Sequence, residues 1–207
     1  LATDDASVNK LADRPHQFRE RKGDNAFKIF VPIVSSENRE YLPAGIADES
    51  VVPTNKAFYI GGAPLWCLAL LSSKLHLTWI ASVCGRLRND YSYSNTIGWN
   101  TFPVPLLSEQ NKFDLTECAA GILLAREAHF PSTLAALYEV KDNVSQMPEN
   151  LRYAHERNDE VLERIYIGRR FKNDTERLGK LFDLYSKMTA NAKAKPATKA
   201  IKGKKTS

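Results

Sequence analysis

The spacing of apolar and polar positions changes near Pro105. Before it, short runs of β-branched and aromatic residues are broken by glycine and proline; after it, apolar residues recur every three or four positions. Phe27 to Val34 (FKIFVPIV) predicts a strand, Tyr41 to Ile46 a shorter one ended by Pro43 and Gly45, and Ala57 to Ile60 a third, stopped at Gly61-Gly62. Pro64 in a first turn and Gly85 past the end predict one helix to about Val83. Leu68, Leu71, Leu75, Trp79 and Val83 lie on its inner face. Leu87 to Trp99 is polar and aromatic and suits strand and turn, while the prolines of Asn100 to Pro105 exclude helix.

Beyond Pro105 the Asp114-x-x-Glu117 pattern predicts a capped helix to about His129. Met147-Pro148 opens a second, with a seam of Leu151, Ala154, Asn158, Val161, Leu162 and Ile165. Asp174 caps a third, with Leu178, Leu181, Phe182, Tyr185 and Met188 inward. The expected fold is α+β: a mixed strand and helix region over 1–105, an α-helical domain over 106–190, and a Lys-rich, disordered tail over 191–207.

Composition narrows the classes. With 43% hydrophobic and 26% charged residues, the 207-residue chain has the profile of a water-soluble globular protein. Its longest apolar run, Ala63 to Leu71, is too short for a membrane span, and no signal pattern precedes it, so a cytoplasmic protein without a membrane partner is expected. The start at Leu1 suggests a piece of a longer polypeptide. Cys67, Cys84 and Cys118 form no Cys-x-x-Cys or Cys/His cluster, which leaves neither a disulfide framework nor a zinc site. The net charge of +5 is misleading. Six lysines and no acids lie in 191–207, and the 29 basic residues less these six leave 23 against 24 acidic. A nucleic-acid surface would have to be a local cluster.

Catalytic constellations are missing from the sequence. There is no Gly-rich phosphate loop, Gly-x-Ser-x-Gly elbow or paired-histidine metal motif. Nor is there the Asn/Asp-Pro-Pro-aromatic motif with which an amino-methyltransferase holds an extruded base; Phe102-Pro-Val-Pro105 is the only proline pair. His16, His76, His129 and His155 are scattered and read as structural or surface residues. No catalytic residue, cofactor site or metal site is expected within the chain.

The segment Gly85 to Asn95 (GRLRNDYSYSN) is the densest polar and aromatic stretch of the body, and it follows an apolar helix able to anchor it. On an extended segment Arg88 and Asp90 point to one side. An Arg donating to guanine O6 and N7, beside an Asp accepting from cytosine N4, would read one G·C pair. The competing reading is a solvated loop with a surface Arg–Asp ion pair. Arg14, His16, Arg19, Arg21 and Lys22 make a second basic cluster, either a phosphate contact or a solvated helix end.

Arg14-Pro-His-Gln-Phe-Arg19, Tyr41-Leu-Pro43, Leu71-Ser-Ser73, His76-x-x-Trp79, Cys84-Gly-Arg-Leu87, Tyr91-x-Tyr-Ser94 and Asn100-x-Phe-Pro103 occur in this order. Together they resemble the target-recognition domain of MmeI-like (type IIL/IIG) restriction-modification enzymes, single polypeptides that join a nuclease, an adenine N6-methyltransferase and a recognition domain. Pro131-Ser-Thr-Leu-Ala-Ala-Leu-Tyr138, Met147-Pro-x-x-Leu151, Ala154-His155 and Glu176-Arg-Leu178 resemble the family's C-terminal helical domain. The resemblance implies that Arg88 and Asp90 read one base pair, with guanine on the recognised strand, and that Lys56 and Ser92 read another. Arg86, Tyr91, Tyr93 and Ser94 would hold the DNA backbone or position the reading segment. Val104 stands where the family commonly has Trp.

The resemblance further implies double-stranded DNA and a methyltransferase domain of the same polypeptide as partners. S-adenosylmethionine, and Mg if a nuclease is present, would serve the parent and not this fragment. Two other classes stay open at this point: a protein-interaction module whose polar segment is merely exposed, and a small enzyme of another type. The first predicts no salt-dependent DNA binding; the second predicts a deep pocket of convergent titratable groups.

Overall fold

A computed structural model describes residues 27–48 and 50–194. The Arg14–Lys22 cluster and most of the Lys-rich segment lie outside these residues. The chain runs through β1 (Phe27–Pro32), β2 (Val34–Ser35), β3 (Gly45–Asp48), β4 (Ala57–Gly61), α1 (Trp66–Leu71), α2 (Lys74–Val83), β5 (Gly85–Leu87), β6 (Asp90–Ser92) and a single π-helical turn at Asn95–Trp99. There follow α3 (Glu109–Glu127), α4 (Leu134–Leu137), β7 (Val140–Lys141), β8 (Val144–Ser145), α5 (Glu149–Ile167) and α6 (Asp174–Ala194). The α+β class holds.

Two small antiparallel sheets, ordered β3-β1-β4 and β2-β6-β5, share the strand that begins at Phe27. The chain changes sheet at Ile33. Its N–H donates to the Lys56 carbonyl at 3.0 Å, continuing the β1–β4 register, and its carbonyl accepts from the Tyr93 N–H at 2.7 Å, opening the β2–β6 register. One residue therefore joins the ladder that ends at Lys56 to the ladder that carries the reading segment.

Several predicted elements are redrawn. Tyr41 and Leu42 are buried but make no ladder, because Pro43 lacks a donor, and the strand starts at Gly45. The helix from Pro64 breaks into two at Ser72-Ser73. Ser73 is extended, and its Oγ accepts from the His76 N–H at 3.1 Å and donates to the Leu70 carbonyl at 2.7 Å, so it caps a new helix instead of continuing the old one. Helix α3 starts five residues before Asp114, capped by Ser108, whose Oγ accepts from the Asn111 N–H at 3.1 Å. Asn173, not Asp174, caps α6 by accepting from the Glu176 N–H at 2.9 Å. A β7–β8 hairpin within the helical half was not predicted; Asp142 and Asn143, both at positive φ (49° and 62°), turn it.

The core does not stop at Pro105. Ile29, Leu68, Leu71 and Trp79 share one buried cluster with Leu115, Ala119, Leu162 and Leu181. Helix α6 buries a narrower face than its stripe predicts. It leans on α2 through Phe182 and Tyr185, whose rings lie 5.3 and 5.7 Å from Trp79, and Phe182 and Met188 remain exposed.

Helix α5 departs most from expectation. Leu151 and Leu162 are buried, but so are His155, Asn158, Asp159 and Glu163, while Ala154, Val161 and Ile165 are only half-buried. The break between α1 and α2 supplies the reason. A helix end leaves carbonyls and N–H groups without partners, which is costly in a dry interior. Asn158 Nδ2 donates to the Ala69 carbonyl at 2.8 Å, His155 Nδ1 to the Ser72 carbonyl at 3.0 Å, and Asp159 accepts from the Lys74 N–H at 2.8 Å. The polar seam of α5 is the cap of that break. It extends outward: Tyr41 donates to Asp159 at 2.9 Å, Tyr138 to His155 Nε2 at 2.5 Å, and Arg126 to the Tyr138 oxygen at 2.9 and 2.5 Å. Glu163 accepts from the Phe171 N–H at 2.9 Å and from Arg177 at 2.8 and 2.6 Å.

Candidate nucleic-acid interface

The reading segment is a β5–β6 hairpin with a two-residue loop, Arg88-Asn89. Leu87 opposes Asp90, Arg86 opposes Tyr91, and Gly85 opposes Ser92. Alternation along β6 turns Tyr91 and Tyr93 into the protein and leaves Asp90 and Ser92 on the opposite face. Tyr93 is the anchor. Only 4% exposed, it lies among Phe58 and His76, and its hydroxyl is 3.1 Å from His76 Nε2. His76 packs in turn edge-on against Phe102, with ring centroids 4.7 Å apart. Burial drives the His76 imidazole down to about 3 and pushes the Tyr93 phenol up. Both are neutral at pH 7.

Arg86 secures the loop. Its Nη1 donates to Glu37 Oε2 and to the Asn89 carbonyl, each at 2.7 Å, and its guanidinium lies 4.7 Å from the Tyr91 ring centroid. Committed in three directions, it holds the hairpin tip. Tyr91 and Tyr93, both buried, are likewise placed to position and not to touch a phosphate. Ser94, half-buried, precedes the π-helical turn, and its carbonyl accepts from the Gly98 N–H at 2.6 Å. Glu37 and Ile33 were not singled out from sequence, and His76 reads there only as a structural or surface residue; their partners, fixed by the fold, mark them.

Arg88 and Asp90 do not share a side of one extended segment, as the spacing alone suggests. Arg88 occupies the loop at φ 58°, a left-handed conformation that bulky residues rarely adopt, and Asp90 is the first residue of β6. They are presented instead from the tip and the edge of the hairpin. The ion-pair alternative does not hold: among the described residues the side chains of Arg88, Asp90, Ser92 and Lys56 make no hydrogen bond or ion pair. Lys56, exposed, lies across Ile33 from Tyr93, and Val34 pairs with Ser92. Two strand spacings therefore separate the Lys56 and Ser92 backbones, about 10 Å. Exposed Val34 and Leu87, paired with Ser92 and Asp90, flank the Ser92 face.

A groove between Glu37, Tyr91 and the start of α6 holds several charged groups, and its acids are in ion pairs: Glu37 with Arg86, Glu40 with Arg152, and Asp174 with Arg177. Among the described residues no cluster of three or more His, Cys, Asp or Glu side chains is arranged to hold a metal ion, and no helix is long and apolar enough to cross a membrane.

Comparison with known proteins agrees with this geometry. Residues 1–106 match the family described as MmeI, target recognition domain, and residues 107–193 match MmeI, C-terminal domain. The chain is 42% identical over 185 residues to DNA methyltransferase A of Bacillus subtilis (strain 168), covering 89% of the chain and 20% of that protein. It superposes on a structure of the type IIL restriction-modification enzyme MmeI in complex with DNA with a TM-score of 0.80 at 31% identity, over 91% of the chain and 25% of the other. The chain thus spans a fifth to a quarter of the length of these two proteins. It belongs to the MmeI family, as a target-recognition domain joined to the C-terminal domain.

Proposed function

We propose that this chain reads the sequence of double-stranded DNA for a larger DNA-modifying enzyme and carries no catalytic centre itself. The observation that carries the reading is the hairpin. It is anchored from below by Tyr93 and tied by Arg86, yet the side chains of Arg88, Asp90 and Ser92 make no hydrogen bond or ion pair among the described residues. Arg88 would donate to guanine O6 and N7 and Asp90 accept from cytosine N4 of one pair, while Lys56 and Ser92 read another. Residues 1–105 would form the reading domain and 106–190 the helical domain that supports it. Arg14, His16, Arg19, Arg21 and Lys22 would neutralise phosphates and set register.

The parent would be a cytoplasmic adenine N6-methyltransferase, with or without a nuclease, and the relatives' names support the methyltransferase. Its S-adenosylmethionine, and the Mg of any nuclease, belong to parts of the polypeptide outside these 207 residues. The reading chain would bind and register the duplex while the other part extrudes the adenine. Methylome sequencing of cells carrying the parent protein with Arg88→Asp and Asp90→Arg together is the test. The modified motif should exchange G·C for C·G at one position and stay the same elsewhere. An unchanged motif, or a change at a different position, removes the readout assignment.

A further inference from the structure

Gly85 has no reason in the fold to be glycine. Its φ is not positive, and a Cβ built on it meets no atom of the described residues within 4 Å. The contrast with other glycines is direct: Gly45 is pressed against Leu134 at 2.9 Å, Gly98 against the Cys84 sulfur at 3.0 Å, and Gly62 and Gly168 take positive φ. Gly121 and Gly179 also face open space, but they sit in helices. Gly85 sits in a strand, where glycine is weakening and marks a close approach of a ligand or another backbone.

Its position says which ligand. Gly85 is directly opposed to Ser92 in the β5–β6 register, so anything attached at its Cα would rise on the same face as the Ser92 hydroxyl. Opposed residues of an antiparallel pair have Cα atoms about 4.5–5.5 Å apart. Serine is short: its Oγ is two bonds from Cα, and a base edge must come within about 2.7–3.2 Å of it to form a hydrogen bond. A group that near Ser92 also stands over residue 85. Any side chain there longer than a hydrogen would fill the space the base edge needs. The next pair on this face, two residues along the hairpin, is Leu87 opposite Asp90, and the exposed Leu87 side chain shows how far such a residue projects from it.

We infer that Gly85 is a specificity-determining clearance in the DNA-reading surface: it keeps a notch open beside Ser92 into which the edge of one base pair descends. This rests on the proposal that Ser92 reads DNA. A glycine that the fold required would lower the melting temperature when replaced, whereas alanine at a compatible backbone position reduces the freedom of the unfolded chain and stabilises.

The test compares Gly85→Ala, Gly85→Ser, Gly85→Leu and Ser92→Ala with the unaltered protein, in the full-length polypeptide. Each is used to select from a randomised DNA duplex library, and its melting temperature is measured in parallel. Affinity should fall in the order Ala, Ser, Leu, by more than tenfold for Leu. Preference should be lost at the one base pair that Ser92→Ala also relaxes, with the Arg88–Asp90 position intact and the melting temperature unchanged or raised. Gly85→Leu selecting the original motif with unaltered affinity overturns the clearance. So does a loss of affinity that follows the melting temperature instead of side-chain length. If Ser92→Ala leaves every position unchanged while Gly85→Leu still blocks binding, the Ser92 reading fails and with it the notch as assigned; if the unaltered protein selects no motif, the proposed function fails.

Discussion

Acidification should destabilise this fold through two histidines that cannot take a proton where they are. His76 and His155 are both fully buried, and burial pushes each imidazole down to about 3, with Arg126 also disfavouring the cation at His155. His155 has no room for a second proton in its bonding: Nδ1–H donates to the Ser72 carbonyl and Nε2 accepts from Tyr138, itself held by Arg126. In the unfolded chain both rings protonate near their ordinary value, about 6.5. Between about 3 and 6.5 the unfolded state therefore binds more protons, and stability present at neutral pH is lost as the pH falls. At pH 5 that amounts to about 2 kcal/mol for each ring, about 4 together. Asp159 acts with the opposite sign. Burial raises its carboxyl to about 6, so below that pH the folded state holds a proton the unfolded chain releases, which returns about 1 kcal/mol by pH 5. The net expectation is a loss of about 3 kcal/mol between pH 7 and pH 5, read by urea denaturation at constant ionic strength. Asp159→Asn, which removes the opposing group, should steepen the loss. Stability that is level or higher at pH 5 would refute the buried neutral histidines, and an Asp159→Asn curve flatter than that of the unaltered protein would refute the sign given to Asp159.

Two mutational outcomes follow from the hairpin. Arg88→Gly relieves a left-handed conformation costing an L-residue about 1–2 kcal/mol, so the denaturation midpoint should rise while discrimination at the G·C pair falls by about 1–3 kcal/mol. A lowered midpoint would show that the Arg88 side chain supports the fold. Tyr93→Phe deprives His76 of its bonded partner in the core and should cost about 1–3 kcal/mol of stability by thermal or chemical denaturation. The DNA motif selected at a temperature where the variant is folded should stay the same; an altered motif would place the Tyr93 hydroxyl at the DNA.

Strands made of consecutive β-branched and aromatic residues, such as Phe27–Pro32 and Ala57–Gly61, were readable because their local pattern and their tertiary setting agree. So were the existence of the three long helices and the exposed polar character of the Gly85–Asn95 segment, whose crowd of Arg, Asp, Asn, Ser and Tyr has no use in a core. Spacing could not reveal the break at Ser72-Ser73, since an apolar stripe of Leu68, Leu71, Leu75 and Trp79 runs unbroken through it. The polar seam of α5 was hidden for the same reason. His155 and Asp159 look like a solvated face, and Asn158 like a plain seam position, until the carbonyls and N–H group at the break are known to need them. Arg88 and Asp90 were found as residues, but their presentation was not: two-residue spacing means one side only if no turn intervenes, and the turn is set by pairing with Leu87 and Asp90.

The two unreadable features belong to one design. A break in the α1–α2 helix would leave its ends loose, and α2 carries at its C-terminus the hairpin that faces outward. Side chains from α5 hold the break by its own backbone groups, so hydrogen bonds with fixed partners add to the apolar packing of Leu75, Trp79 and Ile80 in setting the direction of α2. At the far end, Tyr93 returns the hairpin to α2 through His76 and to the first sheet through the Ile33 carbonyl. The side chains that fix the hairpin therefore lie on its inner side or below it, whereas those of Arg88, Asp90, Ser92 and Lys56 make no hydrogen bond or ion pair among the described residues. Substitutions at those four positions are free of the fold's constraints except for the left-handed backbone at 88 and the clearance at 85. A surface built this way can exchange one base preference for another while the supporting half stays unchanged, provided that the new reader is no taller than the notch beside it allows.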